Sequence, residues 1–127
     1  MATSYKVLGQ KKLTASNTPV VLYYAPASSQ AIVSTVTVCN TSTSAATYRI
    51  AVVSLTSAPV SPDTSATVPS ALIAGTIDES YVVYDATVGP NETVSYTLGL
   101  TVDAFDKIVV NSSSTSVSFN AYGSETV

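Results

Sequence analysis

The sequence predicts an all-β chain, a two-sheet antiparallel sandwich of eight or so strands with jelly-roll-like connections. Three observations carry that expectation. Only 10% of residues are charged, so the Lys, Glu and Arg that favour exposed helix faces are scarce. Val, Thr and Tyr, which suit pleated and half-buried surfaces, are frequent. Apolar and polar residues alternate in short runs between turn-forming clusters, at the spacing of a sandwich or barrel. Disorder would also account for abundant Ser and Thr, but an apolar content of 46% and eight tyrosines argue against it. A chain of 127 residues fits one domain that folds without metal or disulfide. Residues 1–127 are therefore expected to form a single β-sandwich domain, with 1–19 readable as an N-terminal arm.

Tyr5–Leu8 and Val20–Ala25 open the chain as strands, with Gly9 and Asn17-Thr18-Pro19 as breaks. Ala31–Asn40 sets Ile32, Ser34, Val36 and Val38 against Val33, Thr35, Thr37 and Cys39, the pattern of a half-buried strand. Tyr48–Leu55 follows a short polar connector, Thr41–Ala46, which predicts an antiparallel hairpin. Its inner face is Tyr48, Ile50 and Val52 or the alternate set. Ala58–Ser70 contains Pro59, Pro62 and Pro69, which remove ladder donors and make it a loop or an edge. Ala71–Ala74 reads as a short strand. Tyr81–Val88 and Thr93–Leu100 read as a hairpin about Gly89-Pro90-Asn91-Glu92, with Val94, Tyr96, Leu98 and Leu100 on one apolar face. Thr101–Asp106 resembles one helical turn capped by Thr101 or Asp103. Lys107–Val110 and Val117–Tyr122 are expected to pair across Asn111–Thr115.

Net charge is −3, and five Lys and Arg in total supply no basic face, so nucleic-acid binding is set aside. The charge is uneven. Lys6, Lys11 and Lys12 give the first twelve residues +3, and Arg49 and Lys107 against eight acids leave −6 for the rest. These three lysines are the candidate partner-binding residues, steering an acidic partner surface; the plainer reading is that they guard an edge strand against mispairing. A lone cysteine, Cys39, forbids an intrachain disulfide. The start of the chain lacks the apolar core of a signal peptide, and no apolar run is long enough to span a membrane. Intracellular synthesis, without export or membrane insertion, is the expectation.

Catalysis is not expected. The chain has no histidine, which removes His-dependent triads and His-ligated metals. Cys39 sits in a predicted strand with no imidazole to activate it, so it reads as a structural thiol. Asp78-Glu79 and Asp103/Asp106 match no spaced calcium loop and read as solvated turn acids. Asp85, in a strand beside Tyr84, calls for a hydrogen-bonded partner within the domain or across an interface. Without tryptophan to hold sugar rings, depolymerase activity is disfavoured. The Asn-x-Ser/Thr matches at Asn40, Asn91 and Asn111 are what a Ser/Thr-rich chain yields by chance. No metal or cofactor is expected. Tyrosines in strands are expected mainly to pack within the domain, with a few reaching a partner.

The ordered string Leu22-Tyr23-Tyr24-Ala25-Pro26-Ala27, Ala31-Ile32-Val33-Ser34, Val38-Cys39-Asn40, Tyr48-Arg49-Ile50-Ala51-Val52, Tyr84-Asp85, Thr97-Leu98-Gly99 and Val117-Ser118-Phe119-Asn120-Ala121-Tyr122-Gly123-Ser124-Glu125 resembles a family of small structural proteins of tailed bacteriophages, including cyanophages. The resemblance runs from Lys6 to Glu125. The chain departs from it at Ser28, where glycine commonly follows the Pro-Ala pair, and in its longer Pro-rich loop. The resemblance implies a virion part with a β-sandwich core and no catalytic residue. Within virions, a short chain with its own Met1 points to a capsid decoration, or cement, protein that binds the outer surface of the major capsid lattice. A tail, neck, baseplate or fibre-attachment protein is the alternative, and a carbohydrate-binding sandwich a further one. The expected partners are the major capsid protein or another virion protein, and further copies of the chain, a trimer being favoured because few surface charges and surplus tyrosines suit association.

Overall fold

The computed structural model describes residues 2–54, 67–73, 75 and 78–127. They form eight strands: β1 (Thr3–Lys12), β2 (Val20–Tyr24), β3 (Gln30–Asn40), β4 (Ala46–Val53), β5 (Tyr81–Val88), β6 (Thr93–Val102), β7 (Lys107–Ser112) and β8 (Val117–Thr126). Pairing is nested. β1 pairs with β8, β2 with β7, β3 with β6 and β4 with β5, always antiparallel. The chain is in effect one long two-stranded ribbon, folded over so that β8 also pairs with β3 and β7 with β4. Two four-stranded sheets result, sheet A in the order β1-β8-β3-β6 and sheet B in the order β2-β7-β4-β5. This is the strand order of a jelly roll, realised within the antiparallel two-sheet sandwich that the sequence predicts. The two ends of the chain meet, since Ala2 and Val127 exchange backbone hydrogen bonds of 3.1 and 2.9 Å.

The connections correct the sequence reading. All three expected hairpins are absent: β3 and β4, β5 and β6, and β7 and β8 fall in opposite sheets. The links 41–45, 89–92 and 113–116 arch between the sheets instead. Short polar links bridge the roughly 10 Å between facing sheets as readily as the roughly 4.8 Å between paired strands, and alternation reports a buried face without naming a neighbour. Asn40, buried at the end of β3, ties two of the arches together. Its amide donates to the carbonyls of Ser44 (2.7 Å) and Gly89 (3.1 Å), and its Oδ1 accepts from the Ser42 N–H and hydroxyl.

The core lies between the sheets. Val33, Val36, Val38 and Phe119 from sheet A face Tyr48, Ile50, Ile108 and Val110 from sheet B. Tyr48 is enclosed, edge-on to Tyr96 and Phe119 with ring centroids 6.2 and 6.4 Å away, and its hydroxyl hydrogen-bonds the Tyr96 hydroxyl across the sandwich. Tyr48, Ile50 and Val52 therefore form the inner face of β4. Ala51 and Val53 point outward yet are also buried, because Leu72 and Val68 cover them together with Val109. Residues 70–73 are a helical turn and not the short strand expected at Ala71–Ala74. The Leu72 N–H donates to the Pro69 carbonyl, and Pro69 has no N–H of its own to leave unpaired at the start of the turn. Buried Lys107 fastens this cover by donating from Nζ to the Thr67 carbonyl at 2.8 Å. Most of the expected Pro-rich loop, Ala58–Ser70, lies outside the described residues.

Two turns depart from expectation in instructive ways. Thr101 continues β6, and the capped helical turn is instead a β-turn in which the Asp106 N–H donates to the Asp103 carbonyl. Asp103 Oδ1 accepts from the Ala104 N–H and Asp106 Oδ2 from the Asp103 N–H. Ser28, standing where the resemblance has glycine, takes the left-handed conformation at φ 60°, with Ser29 hydrogen-bonded back to the Pro26 carbonyl.

A line of irregularities crosses sheet A. β1 carries Leu8 as an extra residue against β8, β3 carries Ser34, and β6 carries Leu98 and Gly99 opposite Ser34. Because side chains alternate with a period of two, each extra residue reverses the facing of the strand beyond it. Ala31 and Val33 point inward before the break in β3, and Val36 and Val38 point inward after it. Ile32 and Leu98, which alternation places on the apolar faces, are thereby turned to solvent. Gly123 of β8 lies on this line, where a Cβ would come 2.0 Å from the Ile32 carbonyl oxygen. Gly99 takes φ 60° with open space around it. Gly123→Ala should therefore lower the urea unfolding free energy by about 2–4 kcal/mol, against about 1–2 kcal/mol for Gly99→Ala, which bears only left-handed strain. Equal costs would mean that the close approach at Gly123 does not constrain the fold.

Candidate functional site

Part of sheet B's outer face is covered by the chain's own residues 67–73, whereas among the described residues none covers the outer face of sheet A. Tyr5, Ser124, Ile32 and Thr101 are successive partners across its four strands and share that face. Val7 and Tyr122 form the next row, and Thr126 and Gln30 flank the first on the other side. Tyr5 is 86% exposed and Ile32 52%. A hollow of about 530 Å³ lies beside Tyr5, Val7 and Tyr122. It adjoins, at Ile32 and Ser124, a second of about 430 Å³ that reaches Gln30, Thr101 and Asp103. A third, of about 250 Å³, extends from Gln30 and Asp103 to Ser28 and Ala104. Together they make one trough across the sheet, apolar at the β1 side and polar at the β6 side. Gln30 Nε2 donates to Asp103 Oδ1 at 3.5 Å, and the Ser34 hydroxyl donates to the Tyr122 carbonyl at 3.1 Å.

The three candidate lysines do not act alike. All lie on β1, an edge strand of sheet A, so the segment read as an arm contains a paired strand. Lys6 forms an ion pair with Glu125 at 2.9 Å, and Glu125 also accepts the Tyr23 hydroxyl at 2.5 Å. Tyr23 belongs to β2, so this triad fastens the edge of sheet A to sheet B. The hydrogen bonds from Tyr23 and Lys6 hold the Glu125 carboxyl below its ordinary value, while burial and the same carboxylate push the Tyr23 phenol upward. Lys11 and Lys12 are exposed.

On sheet B, Tyr84 and Asp85 together face the single residue Arg49, a bulge that puts Asp85 at φ 52°. The Arg49 guanidinium lies 4.1 Å from the Tyr84 ring centroid and reaches Asp85 through Nε (2.6 Å) and Nη2 (3.2 Å). Asp85 thus has an intradomain partner, and the forked pair holds its carboxyl below the usual range. Asp78 and Glu79 form an exposed 3-10 turn, Asp103 and Asp106 close the β6–β7 turn, and Cys39 is half-buried in β3. Among the described residues no three acids, cysteines or histidines gather as a metal site, and no helix is long and apolar enough to cross a membrane.

Fold and surface together define a jelly-roll sandwich whose available chemistry lies on an open sheet face. Comparison with protein-family models, with curated proteins and with solved structures finds no match to this chain.

Alternation did not reveal the trough, because the irregularity in β3 is what exposes Ile32. The signals within reach were Gly99 and Gly123 inside strands, which mark bulges and close backbone approach.

The triad makes a pH-dependent contribution whose sign is fixed. The folded state favours ionised Glu125, so its stabilisation is complete above the unfolded value near 4.5 and is lost as pH falls through the lower folded value. At neutral pH Glu125→Gln should be less stable by about 1 kcal/mol. The gap between wild type and variant, followed by urea denaturation, should narrow on acidification. A gap that stays constant down to acid pH would remove the triad from the stability of the sandwich.

Proposed function

We propose that the chain is a non-enzymatic structural protein of a tailed-phage virion, carried on the outer surface of the capsid lattice as a decoration protein. The observation that supports this best is the open, charge-poor outer face of sheet A with Tyr5, Ile32 and Tyr122 exposed, since a domain that leaves such a face uncovered works by surface recognition. Jelly rolls recur in viral capsid proteins, in lectins and in cupins, which supports the virion reading by fold-level analogy. The resemblance of the ordered motif string from Leu22 to Glu125 to small structural proteins of tailed phages supports placing it in such a virion.

The β1 edge is the side suited to an acidic lattice surface. Lys11 and Lys12 are exposed there, and Lys6 is occupied by Glu125. Exposed rim charges act on association rate and salt dependence more than on fold stability. Association of copies, a trimer being favoured, fits the exposed Ile73 and Val82 on the side of sheet B.

The test uses particles that lack the wild-type protein. Lys11→Glu with Lys12→Glu should leave stability within about 0.5 kcal/mol, as exposed substitutions do, and lower occupancy in a salt-sensitive way. Lys6 is left intact because its replacement would also break the Glu125 pair. Unchanged occupancy across a salt series would reduce the two lysines to edge protection. Copy number in proportion to the tail, and not to the capsid lattice, would overturn the decoration role in favour of a tail or fibre-attachment protein.

A further inference from the structure

We infer that the trough across the outer face of sheet A is a binding site for a neutral oligosaccharide. Its lining combines two kinds of group that a sugar ring needs at once. Tyr5 and Tyr122 offer exposed aromatic surface on which the C–H face of a pyranose stacks. Gln30, Asp103 and Thr101, farther along, offer amide, carboxylate and hydroxyl groups that exchange hydrogen bonds with sugar hydroxyls. Ile32 joins the two halves. The trough crosses four strands, about three interstrand spacings or roughly 14 Å, which accommodates a short run of rings and not a single one.

Charge selects against other occupants. Asp103 and Asp106 line the polar half, and the one lysine lining the trough among the described residues, Lys6, is engaged by Glu125, so a phosphate or sulfate chain finds repulsion and little compensation. The floor is the face of a sheet whose inner strands β8 and β3 are paired on both sides, so an extended peptide has no backbone partner there. A polyhydroxylated, uncharged chain meets neither obstacle. This inference does not depend on where in a virion the chain resides.

The experiment applies the full chain to an array of neutral and acidic glycans, followed by calorimetry with the strongest neutral probe and by sedimentation equilibrium. Saturable binding to neutral linear glycans is expected, weakened about tenfold or more by Tyr5→Ala and by Gln30→Ala. Tyr5 is 86% exposed, so its replacement should leave the thermal midpoint unchanged and separate lost binding from lost fold. Binding to no neutral glycan, binding to acidic glycans alone, or binding that survives Tyr5→Ala combined with Tyr122→Ala would overturn the inference. So would a dimer that Tyr5→Ala dissociates, which would assign the face to a second copy of the chain.

Discussion

The pairing of the first strand with the last is the constraint on which the rest of the structure depends. Thr3 and Thr126 hydrogen-bond across 123 residues of sequence, and the nested pairs inside them succeed one another in order. With β3 on β6 and β4 on β5 inside the β1–β8 and β2–β7 pairs, all sequence neighbours except β4 and β5 fall in opposite sheets, and the short links arch over the ends. Such an arrangement has little local reward. Each ladder closes a long loop before its hydrogen bonds form, which places the fold at the slow end of the range for domains of this size.

How far the sequence discloses this structure depends on the range of the interaction concerned. Strand positions were legible because alternation is local: Val94 and Tyr96, or Val117 and Phe119, announce a buried face on their own. Partners were not, since nothing in Gly89-Pro90-Asn91-Glu92 distinguishes a hairpin from an arch. Facing failed at Ile32 and Leu98 for a third reason: extra residues, Ser34 in β3 and Leu98 with Gly99 in β6, interrupt the alternation, and their presence is fixed by the register of the neighbouring strands. The lysines obey the same logic. Counting charges found a basic N-terminal segment, but only the placement of Glu125 beside β1 divides Lys6 from Lys11 and Lys12.

The polar groups have a division of labour set by burial. Asn40 and Lys107 are buried and each donates to backbone carbonyls, fixing arches and the cover over sheet B. Arg49 and Glu125 sit nearer solvent and pair with charged partners, one bracing a bulge and the other joining the sheets. A chain with few charges has thus committed several of them to holding irregular backbone in place. The remainder, on the open face of sheet A, is mostly hydroxyl, amide and aromatic surface.

The meeting of Ala2 with Val127 at one end of the β1–β8 ladder also has a mechanical meaning. A load applied between the two termini opens that ladder as a zipper, one hydrogen-bonded pair after another, so it yields at low force. A load between either terminus and the far end of the strands is instead shared by the whole register in shear. The same sandwich is therefore soft when pulled apart by its ends and stiff when dragged along its length.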